Sequence, residues 1–317
     1  KRQGQRIRQA ARRGAQVHAL NEAVADWAMP VANTMTAPSA VWVQALADVA
    51  AAVAAQQGVS APVAGQASDT ATAIAKSLLS GERKAILLGN AAAHHAKASS
   101  LLALANWLAS QTGATVGYLG EAANTVGAQL VKAQPTQGGL NASQMLQDKA
   151  LQALFLLNTE PAFDCAGGEQ AQVYLGHTGM VVTLSPFKTN MSFSDVLLPI
   201  SPFTETAGTF VNTEGRVQSF HGVVKPLGET RPAWKVWRVL GTMLQLPGFA
   251  FDSIEEVRAQ AIPTDVANRL SNACQVNIDL TPATVAPVTA SIYQLDGLVR
   301  RAPALQHTAD AQGVSHG

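Results

Sequence analysis

Lys84-Ala85-Ile86-Leu87-Leu88-Gly89 is the stretch from which the fold is read. An unbroken apolar run of this length, closed by a glycine, is the pattern of a strand buried on both faces. A long helix follows, about His94 to Ser110, and then Ala114-Thr115-Val116-Gly117-Tyr118. Strand, helix and strand in that order make a βαβ unit. The order recurs downstream: a helix over about Ala142 to Lys149 leads into Ala153-Leu154-Phe155-Leu156-Leu157, and Val181-Val182-Thr183-Leu184 is the next strand. Two parallel strands need a crossover, so Gln170 to Leu175 between them is read as a short helix. This repetition predicts an α/β fold, doubly wound with mostly parallel sheets, ending in a helical segment and an extended tail.

Working outward, a helical pattern ends at Gly14 and runs into a strand at Gln16-Val17-His18-Ala19-Leu20. After a loop through Pro30 and Pro38, Ser39 is suited to cap a helix carrying Trp42, Ala45, Leu46, Val49 and Val53 on one face. Gly58 ends it, Gly58 to Ser68 is a linker, and a helix from Asp69 to Ser80 stops at Gly81. From Asp195 the texture changes to short strands. Thr209-Phe210-Val211 and Arg216-Val217-Gln218 flank Asn212-Thr213-Glu214-Gly215, where Gly215 can take positive φ, so a hairpin is predicted. A helix over Pro232 to Leu246 carries Trp234, Trp237, Gly241 and Leu244 along one stripe, and Ser253 with Glu256 forms a capping box for another. Beyond Cys274 the chain is read as extended, with Ser291 to Gly317 draping over another surface. The ranges expected are 1–68, the end of a first α/β lobe; 69–230, a second lobe with the hairpin; and 231–317, helices and tail. Because the chain opens without Met and already in a helical pattern, it reads as a segment of a longer protein.

Composition narrows the function. With 22 Lys+Arg against 21 Asp+Glu the net charge is +1, so no global field draws nucleic acid or an anionic membrane. The basic opening Lys1 to Arg8 is read as the solvated face of a helix with Ile7, Ala10 and Ala11 inward, the alternative being a nucleic-acid arm. Cys165 and Cys274 stand far apart, outside any CxxC or Cys/His spacing, so neither an Fe–S cluster nor a structural zinc is expected within these residues. Apolar runs such as Leu101 to Leu108 and Val196 to Ile200 fall short of the roughly 18–20 residues that span a bilayer, so direct membrane insertion is not expected.

Candidate chemical groups are sparse. There is neither a GxGxxG nor a GxxxxGK[ST]; the nearest stretch, Gly113 to Gly120, spans a strand where a phosphate loop should follow one. His94-His95 follows a strand at the carboxyl edge where open α/β sheets place ligands, but adjacent histidines point about 100° apart on a helix, so surface contacts are expected. His177 and His221 have no nucleophile in a recognisable setting. Asp195, Glu205 and Glu214 are read as structural: Asp195 begins a strand, Glu205 pairs with Arg216 across the hairpin base, and Glu214 sits in the turn.

Ser194-Asp195-Val196-Leu197-Leu198-Pro199 followed by Glu205-Thr206-Ala207-Gly208-Thr209-Phe210-Val211-Asn212-Thr213-Glu214-Gly215-Arg216 resembles the ADVVLP…E-x-x-GT-x-x-N-x-EGR signature of the molybdopterin oxidoreductase superfamily. Gly228 to Trp234 looks like the superfamily's approach to its next helix, and Asn158-Thr159-Glu160-Pro161 sits where its enzymes carry a nucleotide-side loop. Within the superfamily, the opening Gly4 to Ala15 and the tail Ile292 to Gln306, with Leu298-Val299-Arg300-Arg301-Ala302-Pro303, are similar to the large iron–sulfur subunit of bacterial NADH-quinone oxidoreductase, respiratory complex I, in its C-terminal molybdopterin-oxidoreductase-like region. That resemblance implies a scaffold in the peripheral arm of the complex. It would lie on the cytoplasmic side of the bacterial inner membrane, with the other subunits of the complex as expected partners and no nucleic acid. The 4Fe-4S and 2Fe-2S clusters that carry electrons from NADH to quinone would lie in a region before this one. Molybdoenzymes continue into a C-terminal β-barrel where this chain has helices and a Pro-rich tail. No catalytic, cofactor-binding or metal-ligating residue is therefore carried over, and Glu205, Gly208, Asn212, Glu214, Gly215 and Arg216 are assigned to hairpin geometry. The alternative is part of an active molybdenum-pterin oxidoreductase, such as a formate dehydrogenase-like enzyme, which requires an upstream Cys, selenocysteine or Ser ligand.

Overall fold

The computed structural model describes residues 2–120, 122–147 and 151–313. The chain divides into two compact units, Lys1–Glu121 with Leu270–Thr289, and Ala122–Arg269 with Ala290–Gly317.

In the first unit, α1 (Arg2–Arg12) leads to β1 (His18–Asn21), which pairs in parallel with β2 (Asn33–Thr36). A 3-10 turn at Ser39–Val41 opens α2 (Trp42–Gln57); α3 (Asp69–Ser80), β3 (Ala85–Leu88), α4 (Asn90–Ala93), α5 (Ala98–Thr112) and β4 (Thr115–Tyr118) follow, with β4 parallel to β3. Their apolar faces meet in one core containing Val43, Val53, Ile74, Leu104 and Leu108. Alanine at Ala47, Ala50 and Ala75 lets backbones approach closely. At Gly65 the linker lies so near α2 that a Cβ would stand 2.4 Å from the Ala47 carbonyl oxygen. Residues 270–289 run extended within this unit, with Ile278 and Leu280 against the core. Asp279 pairs with Lys97 Nζ at 2.8 Å, and Lys97 also donates to Thr281. Hydrogen bonds from Lys97 and Thr281 hold the Asp279 carboxyl down to about 2.

The second unit opens with two short helices, α6 (Thr125–Leu130) and α7 (Ala142–Gln147). Next come β5 (Leu154–Leu157), α8 (Pro161–Asp164), α9 (Glu169–Leu175), β6 (Val181–Ser185) and β7 (Val196–Pro199). The sheet order is β5-β6-β7, all parallel. The central strand β6 is buried along its whole length. Val181 packs with Leu156 and Leu175 on one face, while Val182 and Leu184 pack with Ile200 on the other. The hairpin β8 (Gly208–Val211) and β9 (Val217–Phe220) is antiparallel. α10 (Ala233–Met243) covers the second sheet face with Val236 and Trp237. α11 (Ile254–Ala261) and α12 (Val266–Arg269) follow, and the tail folds as α13 (Ile292–Leu295), a 3-10 turn at Val299–Arg301, α14 (Pro303–Gln306) and α15 (Ala309–Gly313).

The α/β architecture with parallel sheets agrees with the sequence reading, and helix Asp69–Ser80 and the hairpin lie where periodicity puts them. Several details differ. β3 is not buried on both faces: Leu88 is covered but Leu87 is 43% exposed, because this sheet has two strands among the described residues. The doubly covered strand is β6. β2 has no sequence signal, being polar apart from Met35, and a plain loop joins it to β1. The helix expected over His94–Ser110 is broken at 94–97, where His95 Nδ1 accepts the Lys97 N–H at 3.0 Å and diverts the backbone. Ser39 opens the turn before α2 but is no side-chain cap; it is buried, and its N–H donates to Glu22 Oε1 at 2.8 Å. Ser253 does cap α11 by accepting the Glu256 N–H, while Glu256 reaches back to the Asp252 N–H instead of completing the box at Ser253.

Residues 291–313 form short helices where an extended drape was expected, since their arginines find partners within the unit. Asp148 and Lys149, at the end of the helix expected from Ala142, lie outside the described residues, as do 314–317. The limits 68/69 and 230/231 do not coincide with those of the compact units: α2 and α3 share one core across the linker, and residues 270–289 return to it. Contrary to the reading of apolar runs, Ser39–Gln57 is long and apolar enough to cross a membrane by length and composition, with mean hydropathy 1.3. More than half of it is buried in the first core, and its hydropathy comes largely from the alanines that allow close packing.

Gly65→Ala is expected to lower stability by about 1–3 kcal/mol, because the new methyl meets backbone that cannot turn aside. Gly89→Ala, with nothing within 4 Å of its Cβ position, is the control and should stay near wild type in the same urea titration.

Candidate functional site

In open parallel sheets, ligands sit outside the carboxyl ends of the strands. In the second unit that edge is formed by the segments after β5 and β6. Asn158 leaves β5 with φ 52°, its N–H donating to the Leu184 carbonyl at 2.9 Å. Asn190, at φ 58°, donates from Nδ2 to the Thr159 carbonyl at 2.9 Å and so ties the two loops together. Both asparagines are in the left-handed region that their short side chains tolerate. Phe187 N–H donates to Ser185 Oγ at 3.1 Å, turning the chain back at the end of β6.

Glu160 and Asp164 project from the start and end of α8, and the tail brings Arg300 and Arg301 to them. Glu160 Oε1 accepts from Arg300 Nη2 at 2.8 Å and from Arg301 Nη2 at 2.6 Å; Asp164 Oδ1 accepts from Arg300 Nη1 at 2.8 Å. Glu160 is 8% exposed as a residue, and the Arg300 side chain is also 8% exposed. Arg300 lies over the Phe163 ring at 4.9 Å and Arg301 over Phe187 at 4.0 Å. Burial pushes the Glu160 carboxyl up, but the hydrogen bonds and charges of Arg300 and Arg301 outweigh it and hold its pKa below the usual value. For Arg300, burial pulls down while bonds to Asp164 and Glu160 raise the pKa further. Burial and the Asp164 charge push the neighbouring Cys165 thiol up, which leaves it a poor nucleophile.

The signature residues lie in the hairpin of the same unit. Glu205 does not pair with Arg216 among the described residues; its Oε2 accepts the Leu227 N–H at 3.1 Å, because the 221–227 loop folds back within reach. Gly208 lies under the Phe220 ring, where a Cβ would come within 2.5 Å. Asn212 Oδ1 accepts the Glu214 and Arg216 N–H groups at 3.0 and 2.9 Å, and Gly215 takes φ 80°. Glu214 is in the turn, and Asp195 Oδ2 accepts the Val181 N–H at 2.7 Å, pinning the start of β6.

The histidines resolve differently from expectation. His95 is buried rather than a surface group: Nε2 contacts the Ser39 carbonyl at 2.9 Å, Nδ1 accepts from Lys97, and the ring stacks on Trp42 at 5.9 Å. Both ring nitrogens are engaged, so it offers no lone pair to a metal. His94 caps the end of α4, and His177 and His221 are exposed in loops. No group of three metal-ligating side chains occurs among the described residues. A cleft of about 680 Å³ in the first unit is lined by Gln16, Asn33, Gln56, Lys76, Ser77 and Ser80, a set without a paired acid and base or an activated nucleophile.

The Glu160 shift sets a pH dependence. Its folded-state pKa is depressed, so the stabilisation it contributes is complete above the ordinary carboxylate range and is lost as pH falls through the lower folded value. Hydrogen exchange across an acid titration should show residues 291–313 losing protection before β6 does. Arg300→Ala should loosen the same segment at neutral pH, at a cost of about 2 kcal/mol or more, because Glu160 is left with Arg301 alone and Asp164 loses its ion-pair partner.

Among known proteins, a family model described as molybdopterin oxidoreductase matches residues 6–243. A protein of Staphylococcus aureus provisionally named formate dehydrogenase is 32% identical over 117 residues, 36% of this chain and 12% of that protein. A similarly named protein of Staphylococcus haemolyticus is 30% identical over 113 residues, 35% of this chain and 12% of its own length. The mitochondrial NADH-ubiquinone oxidoreductase 78 kDa subunit of Candida albicans is 43% identical over 88 residues, 27% of this chain and 11% of that subunit. The matched stretches thus span about an eighth of these relatives' lengths. With the family model covering most of the sequence and the parallel sheets and hairpin in place, this chain belongs to the molybdopterin oxidoreductase family.

Proposed function

We propose that the chain is a structural part of the peripheral arm of a proton-translocating NADH-quinone oxidoreductase, whose Fe–S clusters lie outside this segment. The observation that carries the reading is the pairing of Arg300 and Arg301 with Glu160. These arginines belong to the tail that resembles the large iron–sulfur subunit of complex I, and they engage the carboxylates at the sheet edge where an enzyme of this fold would receive a ligand. The 43% identity to the mitochondrial subunit supports the same assignment.

The residues of that edge do not fit an anionic pterin nucleotide. Its phosphates would face Glu160 and Asp164, and the guanidiniums able to offset them are already committed to those carboxylates. In this reading the fold is retained as structure, positioned by its neighbours in the complex on the cytoplasmic side of the membrane, and makes its contacts through shape rather than a strong field, the net charge being +1. A second reading, part of a molybdenum-pterin oxidoreductase, is favoured by the 32% identity to the staphylococcal protein over 117 residues.

Elemental and pterin analysis of the full-length parent protein, purified with its native partners, separates the two. The scaffold reading expects iron without molybdenum or pterin, and co-purification with NADH-oxidising subunits. Stoichiometric molybdenum with pterin would overturn it in favour of the second.

A further inference from the structure

The Glu160 cluster has the make-up of a receptor for a planar cation. Two carboxylates approach from one helix, one of them almost fully buried, and two aromatic rings, Phe163 and Phe187, each lie against a guanidinium. Carboxylates supply paired acceptors for the in-plane N–H groups, and ring faces complement the flat cation surface, which is the chemistry that selects guanidinium over ammonium. The fit of the chain's own arginine is incomplete: its side chain is more than nine-tenths covered, yet Arg300 Nε has no hydrogen-bond partner among the described residues. A buried donor left unpaired opposes the fit, so the segment carrying it is held less tightly than the ion pairs alone would give.

We propose that the carboxyl edge of β5 is a guanidinium-binding site that the chain fills with its own C-terminal segment, and that a free guanidinium ligand can displace that segment. Residues 291–313 act as an intramolecular ligand, with Arg300 in the buried position between Glu160 and Asp164 and Arg301 in the outer one over Phe187. The ligand class is a monosubstituted guanidinium, as borne by an arginine side chain. A small probe without the tail's backbone tether can orient all its donors.

The test uses methylguanidinium as the probe and methylammonium as the control, both at millimolar concentration, far below denaturing levels. In the full chain carrying Arg300→Ala and Arg301→Ala, calorimetry should show saturable binding of methylguanidinium in the millimolar range, at least about tenfold tighter than methylammonium. Adding Glu160→Gln should remove it. In the wild-type chain the same probe should speed hydrogen exchange across residues 291–313 while leaving β6 unchanged, and this arm decides the matter alone if the double variant does not fold. The proposal is overturned if a folded double variant binds neither cation or both equally. Wild-type exchange in the tail that is indifferent to methylguanidinium, or that responds equally to methylammonium, overturns it as well.

Discussion

A strand with water on neither face and neither edge must find every hydrogen bond inside the protein, and Val181–Ser185 is such a strand. Its N–H and carbonyl groups are taken by β5 on one side and β7 on the other, in parallel register. Asp195 closes the account at its start by accepting the Val181 N–H. The faces are then settled by alternation: Val181 goes to the side of Leu156 and Leu175, Val182 and Leu184 to the side of Ile200 and α10. Because all three strands run the same way, their carboxyl ends share one edge, and the loops that follow β5 and β6 are brought together there. The convergence of Asn158, Glu160, Phe187 and Asn190 follows from this parallel arrangement, with Asn190 supplying the cross-link.

What happens at that edge turns on electrostatics in a covered site. A buried carboxylate such as Glu160 is tolerable only when paired, since desolvation alone would drive it to its neutral form. Arg300 and Arg301 supply the pairing, and the opposing shifts on Glu160 and Arg300 describe one coupled interaction from both ends. The net gain is modest because both charges leave water, and the unpartnered Arg300 Nε reduces it further. Removing either side of the pair is nonetheless costly, since what remains is an uncompensated charge. The cluster therefore specifies where the tail docks more than it adds to global stability.

Much of this was legible in the sequence, for identifiable reasons. Helix Asp69–Ser80 has a serine before it and a glycine after it, and the Asn212–Gly215 turn has the residues that positive φ and side-chain-to-backbone bonding demand. β2 was hidden because its four residues hold one apolar side chain and its partner is set by tertiary pairing. The break at His95 was hidden because a histidine in an alanine-rich run carries no helix-stopping signal until its ring meets Ser39, Trp42 and Lys97. The arginine cluster was visible only in pieces. Glu160 and Asp164 at i and i+4 and the Arg300-Arg301 pair can each be noted, yet 136 residues separate Asp164 from Arg300, and periodicity says nothing about contacts at that range.

The signature that marks the family also bears on how far family membership can carry function. Gly208 is needed because Phe220 lies over it, Gly215 because the turn takes positive φ, Asn212 because two N–H groups converge on its side chain, and Glu205 because it holds the Leu227 N–H. These contacts are matters of local geometry, and they neither require that the parent protein perform chemistry nor exclude it. A signature of this kind establishes the fold and is silent about catalysis. Discrimination between a working enzyme and a scaffold must then come from the carboxyl edge, where a ligand would be received. There the chemistry present in this chain is that of two carboxylates, two aromatic rings and two arginines from its own tail. Those groups answer one another, and the edge of the sheet is closed by the sequence that follows it.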